Sequence, residues 1–274
     1  MNKEQQFYGK APLKMNINNL KTEFHALEDH FSSAISLKKL SIGKNSIAYY
    51  AGIDLPHFNV LLHRDNIQEP ELFINGAKQF FNQNDVYKWV CVVRNDLNSD
   101  ALQNALKIHN FIFEESGSST ALCYSFGKNS EMIHEVSLDI LPVEHNHIEW
   151  LAVMQAGFGG TDITNNQYCQ ALGRAKSKGI SMQHFLGYVQ NVPVATMTLT
   201  FLNNCVRIDN VATHPNYQRL GYATQMVQFA ISLAKQMDIK NCFLDASSKG
   251  LGLYKRIGFF ELFTYNIYGC KSNY

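Results

Sequence analysis

The sequence has no apolar run approaching the roughly 20 residues that cross a bilayer, so no membrane-spanning helix is expected. Its opening, Met1 to Gln6, is polar and has no signal-peptide core. Charge of one sign is missing too. Lys and Arg number 24 against 23 Asp and Glu, which excludes the basic field of a nucleic-acid binder and the acidic run of a solvating tail. The six cysteines, Cys91, Cys123, Cys169, Cys205, Cys242 and Cys270, show no paired spacing. They read as reduced core or strand residues of a cytoplasmic protein. His134, His145 and His147 lie close together, but no Glu or Cys completes a ligand set at helical spacing, so no metal is expected. What remains is a chain of 274 residues, comfortable for two α/β domains.

The richest stretch runs from Asp209 to Thr224. Cys205 to Thr213 is apolar and β-branched, which predicts a strand. Pro215 stops it, since proline lacks the ladder N–H. From Ala223 onward, Met226, Val227, Ala230, Leu233, Ala234 and Met237 recur at helical spacing. Gln218 to Thr224 therefore forms a loop at a helix N-terminus, where unpaired N–H groups and the dipole attract anions. Gly221 lets the backbone turn sharply and approach a ligand.

Gln218-Arg219-Leu220-Gly221-Tyr222-Ala223 fits the Gln/Arg-x-x-Gly-x-Gly/Ala signature of the GNAT family of acyl-CoA N-acyltransferases. The preceding Val211-Ala212-Thr213-His214-Pro215 is similar to that family's fourth strand and its exit. Leu253-Tyr254-Lys255-Arg256-Ile257-Gly258-Phe259 resembles its Leu-Tyr-x-x-x-Gly-Phe ending. Three signals in order carry the resemblance over roughly residues 135–274. It implies a mixed, mostly antiparallel twisted sheet flanked by helices, and acetyl-CoA as co-substrate. The implied reaction is direct transfer of an acyl group, acetyl first, to a primary amine in a ternary complex. The acceptor is a small molecule or a protein amine, and the protein a monomer or homodimer with no nucleic-acid or membrane partner. A non-catalytic acyl-CoA-binding or regulatory module is the alternative.

The resemblance also assigns residues. Val211, Ala212 and Thr213 would contact pantetheine or the acyl oxygen through main chain, beside a bulge that can expose oxyanion donors. The N–H groups from Arg219 to Thr224, with the Arg219 cation and the Thr224 hydroxyl, would meet the pyrophosphate. Tyr254 matches the family's tyrosine, a phenol of ordinary pKa about 10 that can donate to a departing thiolate. Ser247 stands where many relatives carry a cofactor-binding Asn. Asp209 and Asp245 are both candidates for the general base, and both could equally be paired with Arg207 or Lys240.

The first half, residues 1–130, predicts a helix over Leu20–Leu40, strands over Ser46–Tyr50 and Asn59–Leu62, a helix over Glu71–Phe81, a strand over Lys88–Val93, a helix over Ala101–His109 and a strand over Thr120–Phe126. Lys107 to Phe111 lines up at constant offset with Lys255 to Phe259, placing Leu106 opposite Tyr254 and Asn110 opposite Gly258. That suggests two tandem GNAT-like halves. The first is degenerate, without the glycine loop or a proton donor, and the polar Gly127–Glu131 is the boundary. In the second half, residues 131–274, a strand is expected over Glu135–Leu141, then helices over Glu144–Ala156 and Thr164–Lys178 with Thr164 as N-cap. A hairpin turning at Asn191 follows. The glycine segment Gly157–Thr161 reads as a lid hinge or a plain interhelical turn.

Overall fold

The computed structural model describes residues 16–114, 117–126, 137–144 and 147–270. They form two compact units that interleave along the chain. The first draws on residues up to 30, 121–160 and 180–262, and the second on 31–120, 161–179 and the chain from 263 onward. The boundary expected at Gly127–Glu131 lies outside the described residues.

In the first unit the strands run in the order β7 (Asp139–Pro142), β8 (Met182–Val189), β9 (Val192–Leu202), β10 (Cys205–Thr213), β11 (Asn241–Ser247) and β6 (Ser119–Ser125). β7, β8, β9 and β10 pair antiparallel, and β10 with β11 parallel. β8 and β9 are joined through Gln190 and Asn191, both at positive φ (49° and 66°), the two-residue turn that matches strand twist. Alternate residues of β9 divide the two faces. Ala195, Met197 and Leu199 join Val206, Ile208 and Leu244 in a core with Met226, Val227 and Ala230 of α6 (Tyr222–Gln236). Thr196, Thr198 and Thr200 point the other way and are also fully buried. On that face lie Phe24 of α1 (Ile17–Ile35), which meets Phe243 edge to face, and Trp150 of α4 (Ile148–Phe158), which packs on His184.

The second unit orders β1 (Lys38–Ser41), β2 (Ile47–Tyr50), β3 (Asn59–His63) and β4 (Val90–Arg94), with residues 265–269 of β12 (Phe260–Cys270) beside β4 and the short β5 (Phe111–Phe113) paired to residues 268–270. β3 and β4 are parallel. α2 (Pro70–Asn82) and α3 (Asp100–Ile108) close its core of Phe73, Phe81, Trp89, Leu102 and Phe111. α5 (Asp162–Ser177) belongs here as well. Its Arg174 donates to the carbonyls of Ile35 and Ala51, and Lys178 to those of Ser33 and Ser36.

Both units therefore show a mixed, mostly antiparallel sheet flanked by helices, with β10 and β11 parallel in the first and β3 and β4 parallel in the second. The offset between the halves has a backbone counterpart. Asn110 after α3 and Gly258 after α7 (Leu251–Ile257) are both left-handed, at φ 63° and 114°.

Several boundaries differ from the sequence reading. The first helix stops at Ile35 rather than Leu40, because the Leu37 N–H is taken by Tyr50 O at 2.8 Å and β1 pairs with β2. α4 begins at Ile148 rather than Glu144, with His147 in the N-cap position. Thr161, not Thr164, caps α5. The two threonines form a reciprocal capping box in which each side chain accepts the other's backbone N–H.

Candidate active site

The predicted anion loop grows directly out of β10. The His214 N–H makes a last bond to Val194 O at 2.9 Å, and Pro215–Tyr217 then forms one tight turn. Gln218 ties the loop back to the strand, donating from Nε2 to Thr213 O at 3.2 Å. Arg219 and Gly221 adopt left-handed φ of 62° and 88° and swing the chain into α6. Gly221 occupies the N-cap with no side-chain capping bond, so the amides of Tyr222, Ala223 and Thr224 have no acceptor within the helix. The first helical bond is Gln225 N–H to Gly221 O at 3.1 Å. Residues 218–221 are exposed, and a Cβ built on Gly221 meets nothing within 4 Å. Main-chain donors, the Arg219 cation, the Thr224 hydroxyl and open space together fit a pyrophosphate.

Just upstream, β10 carries a bulge. Asp209 faces Thr198 and Ala212 faces Thr196, so Asn210 and Val211 together oppose the single Met197 of β9. Asn210 sits at φ 54°. Ala212 is buried, Val211 and Thr213 are half-buried, and the Thr213 Oγ1 is buried without a hydrogen-bond partner. Gly157 of α4 comes so close here that an added Cβ would lie 2.9 Å from Ala212 Cβ and 3.4 Å from Thr213 O. That glycine permits a close approach of helix to strand.

Beside the bulge the charges converge on one guanidinium. Arg207 Nε lies 3.0 Å from both carboxylate oxygens of Asp209, and Arg207 Nη2 2.5 Å from Asp245 Oδ2. All three side chains are at least four-fifths buried. The guanidinium carbon stands 5.4 Å over the Phe24 ring. Burial works against the Arg207 cation, but Asp209 and Asp245 outweigh it and its pKa is raised. Asp209 is pushed the other way from a salt-bridged carboxylate. Burial raises it to about 6, opposed by Arg207 and reinforced by Asp245 and by Glu28 of α1. Tyr254 sits on α7, its ring against Gly250 and edge to face with Phe259 at 5.9 Å. Burial and then the Asp209 charge push its phenol up to about 12, so its hydroxyl keeps its proton across the neutral range. Ser247 is exposed at the end of β11, and its carbonyl accepts the Gly250 N–H at 3.0 Å.

Asp209, Asp245 and Tyr254 are thus electrostatically linked, and both candidate bases rest on Arg207, as one of the two readings of each foresaw. The sequence reading passed over Phe24 and Glu28, which come from far upstream. Phe24 was legible only as one position of an apolar helical stripe, and nothing local marks Glu28. Gly157 was noticed as flexible, while its packing on Ala212 depends on a contact between distant segments.

Residues 161–259 match the sequence profile of the Acetyltransferase (GNAT) family. A curated Bacillus subtilis (strain 168) protein, described as a proposed acetyltransferase, is 25% identical over 77 residues, 28% of this chain. That match spans only 52% of the relative's length. Among solved structures, a GCN5-related N-acetyltransferase from Kribbella flavida aligns over 96% of this chain and 98% of its own, with TM-score 0.66 and 14% identity. A tandem GNAT protein of the clavulanic acid biosynthesis pathway aligns over 93% and 96%, with TM-score 0.57 and 8% identity. These likenesses extend the fold over both halves of the chain. Over residues 161–259 the chain is similar to the GNAT acetyltransferase domain.

Proposed function

We propose that this protein is a cytoplasmic acyl-CoA-dependent N-acyltransferase that transfers acetyl to a primary amine. The observation that carries the reading is the sequence of parts along one run of backbone. A bulged strand leads into an open, uncapped helix N-terminus, with Asp209 and Tyr254 beside the bulge. The residues that would hold the acyl-CoA are Arg219 to Thr224 at its phosphates and Val211 to Thr213 along its pantetheine arm, with Gln218 bracing the loop. Bound there, acyl-CoA supplies the activated carbonyl. The chain's residues supply the rest. N–H groups freed at the bulge offer donors to charge developing on an oxygen. Asp209, with a pKa near 6, is ionised at neutral pH and still basic enough to take a proton from an ammonium through water. Its neighbour Asp245 shares the same cation and tunes that basicity. Tyr254 Oη retains its proton as a donor. The division of labour that follows is catalysis by 131–274, with support from the degenerate first half.

The alternative, a non-catalytic acyl-CoA-binding module, draws on the same ion pairs, since carboxylates held by Arg207 can be purely structural. Calorimetric titration of acetyl-CoA into wild type and Gly221→Asp, followed by thiol release over a panel of amines, separates the readings. The variant places a carboxylate where phosphate should sit. Binding lost in the folded variant, with turnover on an amine by wild type, is the expected result. Binding without turnover on any amine leaves the module. No binding of any acyl-CoA refutes both.

A further inference from the structure

The bulge that organises this site is held open by a chain of buried polar side chains. Asn210 carries a left-handed φ of 54°, a conformation that asparagine enters more readily than most residues with a Cβ. Two bonds hold it. Thr196 Oγ1 donates to Asn210 O at 2.9 Å, and Asn210 Nδ2 donates to Thr198 Oγ1 at 3.0 Å. Thr198 Oγ1 is itself 2.9 Å from His184 Nδ1. Both threonines are fully buried and His184 is nearly so. Thr198 Oγ1 accepts from the amide and keeps one proton to give. Turned toward His184 Nδ1, that proton pairs with a neutral imidazole carrying its own proton on Nε2, the form the relay requires. Its surroundings agree. Burial, and next the ring of His147 at 5.3 Å, lower the His184 pKa to about 4, and Trp150 packs on it at 5.1 Å. A histidine with so low a pKa is a poor general base near neutrality, which points to structure-setting rather than proton transfer.

We infer that His184, Thr198 and Asn210 form a positioning relay that fixes the β10 bulge and thereby aims its main-chain donors at the reacting carbonyl. None of the three touches the reacting atoms in this account; each acts through the backbone of Asn210 to Ala212. The inference rests on the acyltransfer reading for its catalytic consequence, while its structural half stands without any ligand.

Two measurements test the halves separately. In ligand-free protein, amide NMR of Thr198→Val should shift the resonances of Asn210, Val211 and Ala212 and increase their hydrogen exchange, and nitrogen shifts of His184 in wild type should report the Nε2–H form. In turnover, Thr198→Val should lose about tenfold or more in kcat, the scale of a small misplacement of a reacting group, while the acetyl-CoA Kd, to which the separate phosphate loop still contributes, should change by less than kcat. Thr198→Ser restores the hydroxyl and should restore kcat. His184→Asn, whose side-chain oxygen can stand near Nδ1, should retain more activity than His184→Leu. Unmoved amides in Thr198→Val overturn the relay. So does a variant that melts earlier yet keeps wild-type kcat, since that is a stability role alone. A wild type that binds acetyl-CoA and acylates no amine refutes the acyltransfer reading instead, and the amide measurement still decides whether the bulge is held as inferred.

Discussion

Arg207→Met is the sharpest probe of the charge cluster. It keeps an unbranched side chain over Phe24 and deletes the cation that lies 3.0 Å from both oxygens of Asp209 and 2.5 Å from Asp245. Breaking a buried pair by removing one partner costs about 3–5 kcal/mol, because the remaining charge is stranded. Here the remaining carboxyls can protonate, so the cost depends on pH. In the wild type Asp209 has a folded pKa near 6 against 3.8 for the free group. Between those values the fold holds a proton that the unfolded chain has released, so stability falls as pH rises through that window and levels off above it. Without Arg207 the folded carboxyls hold protons to higher pH, and the falling window extends upward. Each such carboxyl adds about 1.4 kcal/mol of lost stability per pH unit. The deficit of the variant should therefore be small near pH 5 and reach about 3–5 kcal/mol near neutrality. Urea melts across this range, followed by fluorescence of the two buried tryptophans, Trp89 and Trp150, would measure it. A deficit of constant size at every pH would refute the reasoning, since it would mean that the two carboxylates are not held ionised by this cation.

Asp209→Asn should abolish or flatten the acid limb of kcat/KM, which in wild type should rise with pH and level off above about 6; a limb that survives unchanged in this variant assigns it elsewhere. Asp245→Asn should move that limb to lower pH, because the Asp245 charge raises Asp209. Gly157→Ala drives a Cβ to 2.9 Å from Ala212 Cβ and should cost about 1–3 kcal/mol, read by thermal melting, with a loss of turnover beyond the fraction unfolded; an unchanged melt would show that α4 has room to retreat. Acetyl-CoA should bind with a stoichiometry of one per chain. The stretch between β3 and α2 carries Asp65 and Glu69 and no glycine, and Asp65 is already filled by Asn45 and Ser46. Calorimetry returning two sites would overturn that.

The parts legible in the sequence were those whose signals are local. The extent of β10, Cys205–Thr213, is as read, because β-branched patterning and Pro215 act within a few residues. The left-handed pair Asn110 and Gly258 was foreshadowed by the offset between the halves. Misread boundaries share one cause. Leu37 and β1 leave the helical pattern because a strand ten residues onward claims their backbone, and helical propensity cannot register a competitor. Thr161 was overlooked as the cap of α5 because Thr164, its reciprocal partner, carries the same chemistry. Glu28, Gly157 and His184 escaped for a stronger reason. Each matters through a residue brought to it by tertiary structure, Asp209, Ala212 and Thr198 in turn, and one sequence contains no sign of those pairings.

The choice between Asp209 and Asp245 was left open by the sequence, and the geometry explains why a choice of one residue is the wrong form for the answer. Both carboxylates share Arg207, and the Asp245 charge raises the affinity of Asp209 for a proton. A titration of activity therefore reports the cluster, with values that belong to the pair. What distinguishes the members is their second neighbours. Asp209 also feels Glu28 and acts on the Tyr254 phenol, and it precedes the bulge directly. Its proton affinity is set first by burial, opposed by Arg207 and raised by Asp245, with Glu28 from far upstream as the smallest contribution. On the proposed base role for Asp209, that contribution ties α1 to the chemistry in a way that neither the glycine loop nor the tyrosine motif reveals.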